Sequence, residues 1–381
     1  MTVLARLRRF WLDVHLWIGV ALFFPFVVLG VTGSVLTFHD ELERLMSPHR
    51  YEVTAGAPAS LQAILEAGRA EAPAGFVISG VRPPAHEGAP ALVQARSLAQ
   101  PAPGARPETR TIYVDPVTAR VLDVANTRAD AFGVLHQLHG SLMIPEIGRK
   151  VVGWMGWAML ASSLTGLWLW WPRNGALLKG LRWKRSPRTT SNLHHLTGFW
   201  LTIPLAILAF TGAYISFPQL SRSVVGAFVA LPESRGPSGP PGGGAAPIDA
   251  PRMSVDAVAA AAREAAPDAE LVAINLPTPG RDGEAPSWRV QVKRPDAEAL
   301  ANIGVDDATG EAKAQGAPQA DQNLARWMRR LHDGTDYPMA WRVIIALAGL
   351  APALLGVTGV VMWLRRRAAR RAVRRSRVAA E

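Results

Sequence analysis

The stretch SNLHHLTGFW, residues 191–200, opens an apolar run that continues through LTIPLAILAFTGAYISF to residue 217. An earlier run, VHLWIGVALFFPFVVLGVTGSVLTF at residues 14–38, opens in the same way. When His15 is aligned with His194 without a gap, a glycine, a threonine–glycine step and a phenylalanine coincide along both runs. Both runs are long enough to cross a bilayer core, which takes roughly 20 helical residues. The sequence therefore predicts two membrane helices that are copies of one another, each with a histidine near its start.

Two further apolar runs, near residues 151–172 and 341–364, form a second matched pair. Here Leu138-His139 aligns with Leu331-His332, and each run contains its own threonine–glycine step. The segments outside the runs also repeat, because YVDPVTARV (113–121) and GVDDATGEA (304–312) share an aspartate and a threonine at one spacing, a pattern typical of a hairpin turn. The chain is thus predicted to be a duplication whose two copies have the same orientation, related by an axis along the membrane normal.

These patterns predict an α-helical membrane protein: a four-helix transmembrane bundle made from two parallel repeats, with two small α+β periplasmic domains. The predicted segments are a cytoplasmic N-terminus with the first membrane helix (1–39), periplasmic domain 1 (40–148), the second membrane helix (149–173), a cytoplasmic loop (174–193), the third membrane helix (194–218), periplasmic domain 2 (219–339, with a flexible linker at 233–252), the fourth membrane helix (340–364) and a basic cytoplasmic tail (365–381).

The formal charge of +11 is concentrated in the segments 1–10, 173–190 and 365–381, whereas the two long segments between them have an excess of acidic residues. This distribution follows the positive-inside rule and places both termini in the cytoplasm. It favours a basic tail that contacts anionic lipid, with the bilayer as partner and no nucleic acid. The first apolar run is too long for a signal peptide, and it is interpreted as a retained anchor.

The chain contains no cysteine, which excludes disulfides, thiolate metal sites and covalent haem attachment. Histidines are the remaining candidate ligands. The topology predicts that His15 and His194, the inner pair, lie at cytoplasmic helix mouths, and that His139 and His332, the outer pair, lie near the periplasmic surface.

About a pseudo-two-fold axis, the members of each pair face each other, as the axial ligands of a b-type haem do. The prediction is two non-covalent haem b groups, with His195 and His136 as alternative ligands. Histidines at a membrane boundary are also common as simple amphipathic side chains, and duplication copies neutral residues too, so this interpretation stays open.

Glycines give a further indication. At about 1.5 Å per helical residue, Gly33 and Gly212 fall at the level of the outer pair, while Gly166 and Gly359 fall at the level of the inner pair. A glycine allows a flat macrocycle to lie against a helix, and it equally allows two helices to pack closely.

Arg149 and Arg342 occupy matching positions on the outer rim. They are candidate partners for haem propionates or, alternatively, for lipid phosphates.

The order of these features resembles the PepSY-associated transmembrane (PepSY-TM) family. The resemblance covers nearly the whole chain: four apolar runs, histidines near their mouths, threonine–glycine steps, and the turn motifs at Asp115–Thr118 and Asp306–Gly310 in two PepSY-like segments. It implies a di-haem protein of the bacterial inner membrane that reduces ferric siderophores in the periplasm and so releases iron for uptake. The enzyme expected is a haem-dependent transmembrane ferric-siderophore reductase.

The electron donor implied is quinol or a cytoplasmic reductase, and the siderophore is the substrate. The alternatives are a non-redox, membrane-anchored PepSY protein with an interaction or protease-inhibitory role, and a small transporter of siderophore or iron.

Overall fold

The computed structural model describes residues 3–99, 107–171, 186–227, 246–248, 250–279, 285–295, 299–314 and 320–378. Two compact units make up the chain. The helical unit comprises Met1–Phe38, Leu135–Ser221 and Met328–Glu381, and the sheet unit comprises His39–Val134 and Arg222–Trp327. Most of the predicted linker 233–252 and of the predicted loop 174–193 lies outside the described residues.

The helices of the described residues are α1 (Val3–Ala21), α2 (Phe23–Leu36), α3 (His39–Met46), α4 (Leu61–Ala70), α5 (Ala131–Ser141), α6 (Gly148–Trp170), α7 (Thr189–Ser216), α8 (Pro218–Gly226), α9 (Val255–Ala265), α10 (Ala320–Asp333) and α11 (Met339–Val378), with a short 3₁₀ turn at Pro48–Tyr51. The strands are β1 (Phe76–Arg82), β2 (Ala91–Ser97), β3 (Thr109–Val114), β4 (Val121–Ala125), β5 (Glu270–Thr278), β6 (Ser287–Lys293), β7 (Ala301–Asp306) and β8 (Ala312–Ala314).

The strands form one antiparallel sheet in the order β4-β3-β2-β1-β5-β6-β7-β8. Alternation of apolar and polar residues determines which face is buried, as in β6, where Trp288, Val290 and Val292 are buried between exposed or half-buried neighbours. Helices α4 and α9 pack on the sheet and on each other, and Ile64, Leu65 and the valines of α9 complete the core.

The two halves of this sheet join through β1 and β5, where Gly80 pairs with Asn275 and Val81 with Ile274. A Cβ atom on Gly80 would lie 2.6 Å from the carbonyl oxygen of Ile274, so only glycine permits the approach of the two backbones. The predicted pair of small α+β domains is therefore corrected: the strands of both repeats form a single eight-stranded sheet.

Helices α4 and α9 cap each other across the repeat boundary. The carboxylate of Asp256 in α9 accepts hydrogen bonds from the backbone amides of Leu61 and Gln62 at the start of α4, at 2.8 and 3.2 Å. In return, the side-chain oxygen of Gln62 accepts one from the amide of Val255, at 3.0 Å. These contacts satisfy amides that have no partner within their own helix.

In the helical unit, the first apolar run is divided into α1 and α2, which meet at a 66° bend. Pro25 lies in the first turn of α2 and has no amide hydrogen to donate to the preceding turn. The matching Pro204 nevertheless lies inside the continuous helix α7, so the proline permits the break without dictating it. Helix α2 packs closely on α11, with Gly30 against Gly349 and the hydroxyl of Ser34 donating to the carbonyl of Ala346 at 2.9 Å.

The predicted four-helix transmembrane bundle is wrong for the described residues. Two of their helices are long and apolar enough to span a membrane, Thr189–Ser216 and Met339–Val373, and the bent pair α1–α2 is a third only if its halves count as one span. Helix α6, at the predicted second membrane helix, does not qualify by the same measure. Tryptophan, glycine and serine make up much of its sequence, and these residues are less apolar than the Leu/Val/Ile runs of the other helices. An eight-stranded sheet accompanies these helices.

Candidate functional site

The inner pair comes together between α1 and α7. The ring centroids of His15 and His194 are 6.4 Å apart, with the ring planes at 89°. The Nδ1 atom of His15 lies 3.0 Å from the carbonyl oxygen of Ser162 and 3.3 Å from the hydroxyl oxygen of Thr165, both on α6. The threonine–glycine step of α6 therefore holds His15.

His194 is held in the same way by α11. Its Nδ1 atom lies 2.9 Å from the hydroxyl oxygen of Thr358, and the ring also bonds to the carbonyl of Leu355. Both members of the inner pair thus form hydrogen bonds through Nδ1. These bonds fix the ring of His15 against α6 and the ring of His194 against α11.

The outer pair repeats the arrangement with α5 and α10. The ring centroids of His139 and His332 are 6.0 Å apart. The Nδ1 atom of His139 lies 3.0 Å from the carbonyl oxygen of Leu29 and 3.3 Å from the hydroxyl oxygen of Thr32 on α2. That of His332 lies 2.9 Å from the hydroxyl oxygen of Thr211 on α7. All four threonine–glycine steps thus receive one histidine each.

The four glycines lie directly under the histidine rings. A Cβ atom built on each would approach Cε1 of the imidazole, at 3.0 Å for Gly166 and His15, 3.4 Å for Gly359 and His194, 2.8 Å for Gly33 and His139, and 3.0 Å for Gly212 and His332. The structure gives these glycines a definite role, because the missing side chain makes room for an imidazole. The sequence predicts either a macrocycle or a neighbouring helix against these glycines. In the structure, the nearest atoms are those of the histidine rings.

A cavity of about 720 Å³ adjoins the inner pair. Its walls include His15, His194 and His195, together with apolar side chains of α1, α6, α7 and α11. The arginines that line it are Arg8, Arg9, Arg366 and Arg370. The volume lies within the range of small-molecule sites, and the arginines give the site a positive electrostatic potential.

The outer pair is uncharged at neutral pH. Burial, with a contribution from the neighbouring His332, lowers the pKa of His139 to about 4. Burial likewise lowers the pKa of His332 to about 4. Neutral imidazoles keep one nitrogen lone pair free to accept a hydrogen bond or to bind a metal.

The remaining predicted site residues have different surroundings. Arg149 donates to the carbonyl of Ile215 near the end of α7, at 2.6 Å, and Arg342 donates to the carbonyl of Thr37 at the end of α2, at 2.7 Å. Both arginines thus satisfy carbonyls at helix C-termini. Of the alternative ligands, the ring of His195 lies 6.1 Å from that of His194.

His136 is on α5, one turn before His139, and its electrostatic interaction contributes to the lowered pKa of that residue. The roles predicted for these side chains and for the four histidines in binding a cofactor stay predictions.

The predicted pair of non-covalent haem b groups is corrected. In the part of the chain that the structure describes, no three or more histidine, cysteine, aspartate or glutamate side chains form a group able to hold a metal ion. Each histidine pair brings two imidazoles together, fewer than the three or four protein ligands of a zinc site.

The four threonines are the functional residues that the sequence analysis left out. The signal was present, since a threonine precedes the glycine at every step. What the sequence did not disclose is that each threonine contacts a histidine from a helix distant in sequence.

Comparison with protein families identifies the family of the chain. The chain matches the model of the PepSY-associated TM region over residues 12–366. It belongs to this family and is a membrane protein. No curated protein shows a significant match to it.

Proposed function

We propose that this protein is a transmembrane ferric-siderophore reductase of the bacterial inner membrane. It takes electrons on the cytoplasmic side and delivers them to ferric iron on the periplasmic side. The observation that carries this proposal is the fourfold repetition of one arrangement, in which a half-buried imidazole is held through Nδ1 by a threonine–glycine step of another helix.

An amphipathic histidine at a membrane surface needs no such support. Histidine ligands, in contrast, commonly donate their second ring N–H to a carbonyl or another fixed acceptor, which sets the tautomer and the ring orientation. The inner and outer pairs both have this feature. We assign the four histidines to the path of the electron between the two faces of the membrane, with His195 and His136 as the neighbours to be tested against them.

The chemistry of the acceptor explains why one electron is enough to release iron. The oxygen ligands of siderophores are hard donors, which bind Fe(III) far more tightly than Fe(II). Transfer of one electron to the ferric complex therefore loosens the metal. The ferric siderophore is the substrate, and the donor is quinol or a cytoplasmic reductase that reaches the inner pair.

The charge distribution supports the orientation. Basic residues concentrate in segments 1–10 and 365–381, and the second of these continues α11 as a helix to Val378. We propose that both termini are cytoplasmic, with the basic end of α11 at the anionic lipid surface.

The test is reduction of a ferric hydroxamate by the full-length protein in liposomes. A membrane-permeant quinol is supplied as reductant, and an Fe(II)-specific chromogenic chelator outside reports the product. We expect Fe(II) to appear with the wild type and to be lost in His15→Ala and His332→Ala, since each variant removes one member of a pair. His86→Ala is the matched control, because His86 is an exposed histidine of the sheet unit.

Comparison of His194→Ala with His195→Ala identifies the ligand of the inner pair. Only the former should abolish Fe(II) release if His194, and not His195, lies on the electron path. A wild-type protein that shows no reduced-minus-oxidised absorption change and releases no Fe(II) would contradict the reductase and favour the interaction or transport alternatives.

A further inference from the structure

The four threonines share a hydrogen-bond pattern with a defined direction. Each hydroxyl donates its hydrogen to the carbonyl four residues earlier in its own helix: Thr32 to Val28 (2.7 Å), Thr165 to Ala161 (2.7 Å), Thr211 to Ile207 (2.8 Å) and Thr358 to Leu354 (2.7 Å). A hydroxyl has one hydrogen, so towards the imidazole the threonine oxygen acts as an acceptor.

The bond of each ring to a backbone carbonyl leads to the same conclusion. The carbonyl is the one three residues before the threonine. It lies 3.0 Å from Nδ1 of His15 (Ser162) and 3.0 Å from Nδ1 of His139 (Leu29), and it is Leu208 for His332 and Leu355 for His194. A carbonyl only accepts hydrogen bonds. Nδ1 of His15 and of His139 therefore faces a carbonyl and a threonine oxygen, and Nδ1 of His194 and of His332 faces a threonine oxygen whose hydrogen is donated within its own helix. Nδ1 thus carries the ring hydrogen in all four histidines.

We propose that the four threonines are positioning residues, which hold the four histidines as the Nδ1–H tautomer. This inference rests on the proposed function, since the tautomer leaves the Nε2 lone pair of each histidine available on the proposed electron path. The tautomer is itself a property of the protein alone. The threonines act through the histidines, and the glycine beside each threonine allows the ring to reach the two acceptors.

The test is nitrogen NMR of the full-length protein, labelled with ¹⁵N-histidine and reconstituted in lipid. The chain has nine histidines, and single His→Asn variants assign the four of interest. In the wild type we expect the resonance pattern of protonated Nδ1 and unprotonated Nε2 at His15, His139, His194 and His332. An Nε2–H pattern at any of the four would overturn the proposal.

Thr165→Val removes the hydroxyl with little change in volume. We expect the ratio of the two tautomers of His15 to move towards Nε2–H by roughly fivefold, the value of one ordinary hydrogen bond, while the other three histidines keep theirs. Thr165→Ser restores the wild-type ratio because it restores the acceptor. Thr37→Val is the matched control, since Thr37 is a buried threonine that also bonds back to a helix carbonyl. No change in Thr165→Val, or an equal change in Thr37→Val, contradicts the role.

The outcome separates this inference from the proposed function. Protein with the expected tautomers that releases no Fe(II) would disprove the reductase and keep the positioning role. Protein that reduces the ferric chelate but contains Nε2–H histidines would disprove the positioning role alone. Where both hold, the rate of Fe(II) release should change in Thr165→Val and stay constant in Thr37→Val.

Discussion

Asp115 shows how a single buried charge is stabilised in the sheet unit. The carboxylate has no exposed surface, yet it accepts hydrogen bonds from the hydroxyl groups of Thr54 and Thr118 and from the amide of Val117. Burial alone would raise the pKa of Asp115, but these hydrogen bonds outweigh it and lower the pKa to about 2. The ionised form is thus the one that the fold binds.

The pH dependence of stability follows from that shift. Because the folded-state pKa is below the ordinary value of 3.8, Asp115 stabilises the fold above about pH 4. This contribution, about 2 kcal/mol, is lost as the pH falls from about 4 to 2. In denaturant titrations of the full-length protein in detergent, Asp115→Asn should be destabilised most at pH 7 and should approach the wild type near pH 2.

The equivalent aspartate of the second repeat provides the control for this prediction. Asp306→Asn changes the equivalent turn residue, which is less buried than Asp115 and accepts hydrogen bonds from the amides of Ala308 and Thr309. It should show a much smaller pH-dependent difference. Equal differences for the two variants would show that burial does not set the contribution of Asp115.

At the scale of one element, the two hairpin turns differ at a single informative position. The predicted turns are confirmed between β3 and β4 and between β7 and β8. Each closes with an amide bonded to the aspartate carbonyl, from Ala119 in the first and Gly310 in the second. Both residues have positive φ, 56° and 73° respectively. Alanine is strained in this conformation, whereas glycine adopts it freely.

We therefore expect Ala119→Gly to stabilise the protein by about 1 kcal/mol and Gly310→Ala to destabilise it by a similar amount. A Cβ atom on Gly310 would lie 3.4 Å from Met253, an ordinary contact, so the effect comes from the backbone. Thermal unfolding followed by circular dichroism measures both variants. Destabilisation by Ala119→Gly would indicate that the alanine methyl group contributes more packing than its conformation costs.

At the scale of the whole molecule, the repeat, the hairpins and the depth at which histidines meet glycines could be predicted from the sequence. Each of these features depends on local spacing or on the fixed rise per residue of a helix. The sequence did not disclose the pairing of β1 with β5, which depends on Gly80 meeting a strand almost two hundred residues away. Nor did the sequence predict the break between α1 and α2. Pro25 and Pro204 occupy matching positions in the two aligned runs, but only Pro25 lies at a break.

The junction between the halves gives a prediction at this scale. Asp256→Ala removes the acceptor for two amides of α4, so it should lower the free energy of unfolding by about 1–2 kcal/mol. Hydrogen exchange measured by mass spectrometry should increase in peptides covering α4, in the repeat that does not contain the substitution. Glu264→Ala, at an exposed position on α9, should leave exchange in α4 unchanged. An increase confined to α9 would contradict cross-repeat capping.

The continuous sheet also bears on the joining of the two repeats in one chain. A polypeptide with only one repeat would leave β1 or β5 as an unpaired edge strand. The backbone N–H and C=O groups of that strand, such as those of Gly80 in β1, would be free to pair with another edge strand. Two separate copies would complete the sheet only by association, which depends on the protein concentration. In one chain the encounter of the two edges is intramolecular, so it proceeds at an effective concentration set by the connecting segments.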